Sequence, residues 1–182
     1  YASRGLGDVY KRQAFNARYR QGRITATGSL VYTNVTEHVK IGDAPADFQR
    51  LAPSFTVSLQ PWQEQLLFLR LMYKSTFRMP TFNDLYYYRL GNRSLRPEKA
   101  NEYNMGITWS RSFSSFLNYL SVTVDGYYND VTDKIVAFPT TYAWKMANYG
   151  KVHVTGMDAT LAAAASLGKN MVLVVSGGYT WQ

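Results

Sequence analysis

From residue 14 onward the chain alternates apolar and polar positions with a period of two, the spacing that puts successive side chains on opposite faces of a β-strand. Leu67, Leu69, Leu71, Tyr73 and Phe77 fall on one face of residues 66–78. Arg70, Lys74 and Arg78 fall on the other, with Leu66, Phe68 and Met72 among them. Residues 51–60 set Leu51, Pro53, Phe55, Val57 and Leu59 against Ala52, Ser54, Thr56, Ser58 and Gln60. Residues 98–110 set Tyr103, Met105, Ile107 and Trp109 against Glu102, Asn104, Gly106 and Thr108. Strands are likewise predicted over 14–20, 23–39, 120–130, 144–165 and 171–182. Tight turns are expected at Gln21-Gly22, 61–65, 111–118 and 166–170, and longer loops over 40–50, 79–97 and 139–143.

This is the layout of an all-β antiparallel meander of about eight long strands. A soluble β-sandwich binding module, for example for carbohydrate, also alternates, but its strands usually run about five or six residues. Several here exceed ten. Pro53 has no N–H for a ladder and belongs near a strand end. Trp62 and Trp109, close to predicted strand ends, suit an interfacial aromatic belt.

Composition sharpens the choice. Aromatic residues make up 15% of the chain while the mean hydropathy stays near neutral, as expected when each strand shows one apolar and one polar face to different media. No run approaches the roughly 20 apolar residues of a membrane helix; LLFLRLM and MVLVV are only strand-length. With no cysteine, disulfides, thiolate metal sites and cysteine chemistry are excluded. The net charge of +8 is scattered between strands instead of clustered, which argues against a nucleic-acid partner and fits a barrel lumen or a rim facing anionic lipopolysaccharide. Residues 8–13, DVYKRQ, are the translation of GAT-GTG-TAT-AAG-AGA-CAG and resemble a sequencing-library transposon adaptor. Residues 1–13 are therefore read as a non-native, adaptor-derived segment expected to stay outside the sheet, and residues 14–182 as a partial outer-membrane barrel.

The stretch FRMPTFNDLYYYRLGNRSLRPE, residues 77–98, resembles the FRxPTFNDLY…GNxxLxPE signature of TonB-dependent outer-membrane receptors. PEKANEYNMGITW, VDGYYNDVTDKIV and NYGKVHVTGMDATL resemble three further strands of that family in the same order, most like the cobalamin receptors, with ferric-siderophore and haem receptors close behind. The resemblance implies part of a barrel of about 22 strands closed by a plug domain. It further implies uptake of cobalamin or a ferric chelate across a Gram-negative outer membrane, coupling to the TonB complex through the plug, and contact with outer-membrane lipid and lipopolysaccharide. No plug, TonB box or C-terminal aromatic strand end is visible in the sequence, and about eight strands cannot close so wide a barrel.

Within that frame Tyr86, Tyr87, Tyr88, Arg89, Asn92 and Arg93 are the candidate ligand contacts of an extracellular loop, since aromatic rings beside amides and guanidinium groups suit a flat, polar-edged macrocycle. Pro80, Thr81, Asn83, Pro97 and Glu98 read better as structural, with Asn83 or Asp84 accepting backbone hydrogens in a turn. Arg70, Lys74 and Arg78 are expected to face the lumen and the plug. Asp125, Asp130 and Asp133 lack the spacing of a calcium loop. His38 and His153 have no catalytic neighbours and the chain has no G-x-S-x-G elbow. Neither enzymatic activity nor a resident cofactor or metal is expected.

Overall fold

The computed structural model describes residues 6–39, 47–62, 66–113, 116–168 and 171–182. Eight strands form one antiparallel sheet in chain order: β1 (Leu6–Gln21), β2 (Ile24–Val39), β3 (Phe48–Leu59), β4 (Leu66–Arg78), β5 (Glu98–Ser112), β6 (Leu117–Pro139), β7 (Trp144–Ser166) and β8 (Val172–Trp181). A single helix among the described residues, α1 (Phe82–Tyr86), lies between β4 and β5. Each strand pairs with its chain neighbours, leaving β1 and β8 as open edges. One uncovered sheet is not a sandwich, so the soluble two-sheet reading falls.

Register shows the division of faces directly. One row across the sheet reads Tyr19, Ala26, Val57, Leu71, Met105, Gly126, Met157 and Trp181. The adjacent row, on the opposite face, reads Arg20, Thr25, Ser58, Arg70, Gly106, Asp125, Asp158 and Thr180. A slip of one residue in any ladder would exchange these sets, so the pairing is fixed by which medium each face meets. The apolar face is uncovered: Leu71 is 55% and Met105 61% exposed. A continuous apolar patch of this size is not tolerated against water, whereas lipid covers it without penalty.

The apolar band has visible limits. It runs from the row Tyr73, Tyr103 and Tyr128 to the row Leu67, Trp109 and Val122, six residue steps along each strand or roughly 20 Å. That approaches the outward apolar band of about 25 Å, flanked by aromatic girdles, of known outer-membrane barrels. Beyond the tyrosines the same face carries Ser75, Asn101, Asp130 and His153 in one row. Tyr73 and Tyr103 pack at 5.1 Å between ring centroids, and Tyr128 stacks on His153 at 5.8 Å.

Several boundaries differ from the sequence reading. Residues 6–13 are not outside the sheet: they pair with residues 32–39, because a ladder is built from backbone groups that any residue but proline supplies. The β1–β2 hairpin turns at Gly22, whose φ of +53° suits the first central position of a II′ turn. β3 begins at Phe48 and not at Leu51. Pro53 lies within β3, but the β3–β4 ladder starts only at Ser54, so its missing N–H costs that ladder nothing. β6 continues past Asp130 to Pro139, making β6 and β7 strands of 23 residues each. The predicted loop residues 40–46, the turn residues 63–65, 114–115 and 169–170, and residues 1–5 lie outside the described residues.

Candidate functional site: the docked tyrosine loop and the charged face

Residues 79–97 connect β4 to β5 and form a folded unit instead of an open loop. Thr81 starts α1: its hydroxyl accepts the Asp84 N–H at 3.3 Å, and the Asp84 carboxylate accepts the Thr81 N–H at 2.8 Å. This reciprocal capping box satisfies two of the donors that a helix start leaves orphaned. The chain then turns back. The Tyr87 carbonyl accepts the Leu90 and Gly91 N–H groups at 3.2 and 2.8 Å, and the Asp84 carbonyl accepts the Asn92 N–H at 2.8 Å.

The unit docks on the part of the β6–β7 hairpin that extends beyond β5. Leu85 and Leu95 bury against Ile135, with Tyr86 and Met146 packed around them. Backbone and amide bonds hold the contact. Met146 N–H donates to the Leu90 carbonyl at 2.9 Å, and Asn92 Nδ2 donates to the Met146 carbonyl at 3.0 Å. Asn148 accepts the Arg96 N–H and donates to the Arg96 and Asp133 carbonyls, each at 2.8 Å. Arg96 also pairs with Asp133 at 2.7 Å, and the Glu98 carboxylate accepts the Ile135 N–H at 3.3 Å.

The six candidate ligand contacts separate under this geometry. Tyr86 packs into the small core, and the Asn92 side chain is taken up by Met146 and by the Ser94 N–H at 3.0 Å. Tyr87 and Tyr88 remain 60% and 79% exposed. Arg89, at a left-handed φ of 63°, sets its guanidinium 5.1 Å from the Tyr88 ring centroid. Arg93 lies 5.1 Å from the Tyr86 ring and is exposed. Two exposed rings and two exposed guanidinium groups on one hydrogen-bonded unit can cover a flat ligand and bond its polar edge. Thr81, Asp84 and Glu98 serve structure, as their positions suggested.

On the polar face Arg70, Lys74 and Arg78 each meet an acidic group of this same chain. Arg70 pairs with Asp125 at 2.7 Å, Lys74 with Glu102 at 3.9 Å, and Arg78 with Glu98 at 3.3 Å and Asp84 at 3.7 Å. Sequence reading missed these partners because strand register, not sequence proximity, brings them together. Arg70 reaches Asp125 across β5, where Gly106 occupies the row between them. A Cβ at Gly106 would run into the Asp125 carboxylate. Gly106→Val therefore trades an ion pair worth about 0.2–1 kcal/mol for a gain in strand propensity on a scale spanning about 1 kcal/mol. Global stability should change by less than about 1 kcal/mol, and Arg70–Asp125 coupling in a double-mutant cycle should fall to zero.

The three aspartates weighed for calcium have separate duties: Asp125 holds Arg70, Asp133 holds Arg96, and Asp130 faces His153 at 3.4 Å. Above Arg70 a cavity of about 300 Å³ opens on the polar face, lined in part by Thr56, Asn104, Asp125, Tyr127 and Asp158. Tyr127 lies over Gly156, its cross-strand partner, and a Cβ at that glycine would meet the phenol.

Two curated relatives are vitamin B12 transporters named BtuB. The protein of Vibrio vulnificus is 32% identical over 84 residues, 45% of this chain and 13% of that protein. The protein of Photobacterium profundum is 26% identical over 97 residues, 50% of this chain and 15% of that one. The matched region is thus a small part of either relative's length. Among solved structures, the hemophore receptor HasR of Serratia marcescens, in complex with its hemophore HasA and heme, superposes with a TM-score of 0.74 at 17% identity. It covers 87% of this chain, and the match takes in 32% of HasR. The FrpB iron transporter of Neisseria meningitidis gives a TM-score of 0.59 at 16% identity, covering 98% of this chain and 27% of its own. These two likenesses speak to the fold. Residues 8–182 match the family described as "TonB dependent receptor-like, beta-barrel", and with its meander of long strands divided into an apolar and a polar face the chain belongs to that family.

Proposed function

We propose that this chain forms part of an outer-membrane receptor that takes up cobalamin or a related corrinoid, with Tyr87, Tyr88, Arg89 and Arg93 contributing to the ligand contact at the external rim. The observation that carries the reading is the docked 79–97 unit, which presents two exposed tyrosines and two guanidinium groups on the long-loop side of the sheet. The likeness to two vitamin B12 transporters supports the corrinoid over a ferric chelate. In the same reading the apolar face meets outer-membrane lipid. The polar face, with Arg70, Lys74 and Arg78, lines the lumen against a plug domain through which the TonB complex acts. Because these three cations are already paired with carboxylates of the sheet, their role toward a plug is to offer half-satisfied charge pairs and not free cations.

The test is direct binding of cyanocobalamin and of ferric siderophores to the full-length receptor. Cyanocobalamin should bind, and Tyr87→Ala with Tyr88→Ala should weaken it by about tenfold or more, the loss expected when two aromatic contacts of about 1 kcal/mol each are removed. Tight siderophore binding without corrinoid binding would reverse the cargo. Unchanged affinity in the double variant would show that the exposed rings do not touch the ligand.

A further inference from the structure

Three residues of β7 share the face that carries the 79–97 unit. Along the β6–β7 ladder Asn148 pairs with Ile135, Met146 with Ala137 and Trp144 with Pro139, and alternate residues of a strand point the same way. The unit takes up the first two: Asn148 holds Arg96, and Met146 holds Leu90 and Asn92. Trp144 is left uncovered, its indole 58% exposed.

The alignment of the two segments decides what stands beside that indole. Arg96 lies level with Asn148, and residues 90–92 lie level with Met146. The unit therefore runs parallel to β7, and its lower-numbered residues lie nearer the hairpin tip. Two residues back from Met146, about 7 Å along the strand, Trp144 comes level with the turn at residues 87–89. The tip is itself held: Thr140 N–H donates to the Ala143 carbonyl at 2.7 Å, and Ala143 N–H donates to the Thr140 hydroxyl at 3.2 Å. Phe138, at the same height, points to the opposite face and packs on Tyr149 at 5.6 Å.

Arg89 supplies the second group. Its φ of 63° lies in the left-handed region, uncommon for a residue other than glycine. Its guanidinium lies by the Tyr88 ring and has no carboxylate partner among the described residues, whereas Arg78 and Arg96 are both held by carboxylates.

We infer that Trp144 is a further ligand contact of the external site. Its indole and the Tyr88 ring stack on a planar conjugated group of the ligand, and Arg89 meets an anionic group attached to that plane. Indole offers a large rigid stacking surface, and a guanidinium suits phosphate or carboxylate oxygens. A corrinoid with a nucleotide tail carries both features as an aromatic base and a phosphodiester. A ferric catecholate carries them as rings and charged oxygens. The inference rests on the external placement of the 79–97 unit proposed above and holds for either cargo.

The experiment titrates the full-length receptor with cyanocobalamin, with dicyanocobinamide, which lacks the base and the phosphodiester, and with a ferric tris-catecholate. Trp144→Ala should weaken cyanocobalamin binding by about fivefold or more, the loss of one aromatic contact. Trp144→Phe should keep most of the affinity, and Phe138→Ala should leave it unchanged. Arg89→Gln should weaken cyanocobalamin by about threefold, within the range of an exposed ion pair, and leave dicyanocobinamide unaltered. Limited proteolysis of residues 79–97 should match wild type in Trp144→Ala, which separates a ligand contact from a support of the loop. Unchanged affinity in Trp144→Ala, equal losses in Trp144→Ala and Phe138→Ala, or a loss accompanied by faster cleavage of the unit would overturn the contact. Equal weakening of both corrinoids by Arg89→Gln would overturn the anionic group. A wild type that binds only the ferric tris-catecholate would sink the corrinoid reading alone, and the same variants titrated with that chelate then decide the inference.

Discussion

Leu69→Arg is expected to destabilise the barrel by about 2–4 kcal/mol, the cost of an arginine near the bilayer midplane on a lipid-facing strand. Leu69 pairs with Leu59 and Ile107 on the apolar face, inside the apolar band bounded by the Tyr73 and Leu67 positions and on the Leu67 side of its centre. The nearer edge of the band lies two residue steps, roughly 7 Å, away along the strand. Arginine on the opposite face, a residue or two away, should cost far less because water and carboxylates lie there. Ser58 is a poor comparison, since its partner is Arg70 and two like charges would meet. Thr56 pairs with Met72 and gives the cleaner control, with a cost under about 1 kcal/mol expected for Thr56→Arg. Equilibrium unfolding in lipid vesicles reads both. Similar losses at the two positions would contradict the assignment of faces.

That assignment was legible in the sequence because period-two alternation records the two media, and it located β2, β4, β5 and most of β7 closely. The signal failed where the media change. Along β6 the apolar phase sits at Val122, Val124 and Tyr128 up to the girdle. Past Asp130 it inverts: Thr132 and Lys134 now carry the outer face, and Ile135 turns apolar on the inner one because the 79–97 unit covers it. A reader following one phase stops the strand there, although the backbone continues to Pro139. The helix α1 was missed for a different reason. Thr81-Phe82-Asn83-Asp84 spells a capping box with Asp in place of the usual Glu or Gln, and a helix of five residues leaves no periodicity to detect.

The candidate site was legible only as a set of residue types. Sequence named Tyr86 and Asn92 together with Tyr87, Tyr88, Arg89 and Arg93, but their division into supports and free surface depends on Met146, Asn148 and Ile135, which lie roughly 40–55 residues further along. The charged partners of Arg70 and Lys74 were hidden in the same way. Asp125 lies 55 residues from Arg70, and only the β4–β5–β6 register, with a glycine between, makes them neighbours. Motif spacing can show that chemistry is present; ladder register decides what remains available.

Gly91→Ala is expected to undo the docked loop while leaving the barrel folded. A Cβ at Gly91 would lie 2.7 Å from the Leu85 carbonyl carbon and oxygen and 2.7 Å from the Tyr87 nitrogen. All three are backbone atoms, so no side chain can swing aside. Overpacking of this kind costs about 1–3 kcal/mol, and because every close atom is backbone the upper part of that range applies. The strain falls on the hydrogen bonds that form the unit: Gly91 N–H to the Tyr87 carbonyl, Asn92 N–H to the Asp84 carbonyl, and Met146 N–H to the Leu90 carbonyl. Residues 79–97 should then open as a local unit, since their buried core is small and the sheet does not depend on it. Limited proteolysis should show faster cleavage between Pro80 and Pro97, and affinity for the receptor's ligand should fall by about tenfold or more as Tyr87 and Tyr88 lose their support. Gly150→Ala is the matched control, because nothing lies within 4 Å of a Cβ there, and both readouts should stay near wild type. If Gly91→Ala keeps wild-type protease resistance, the close approach of Gly91 to Leu85 does not hold the loop. If the loop opens and ligand affinity is unchanged, the preorganised rings are not what the ligand meets.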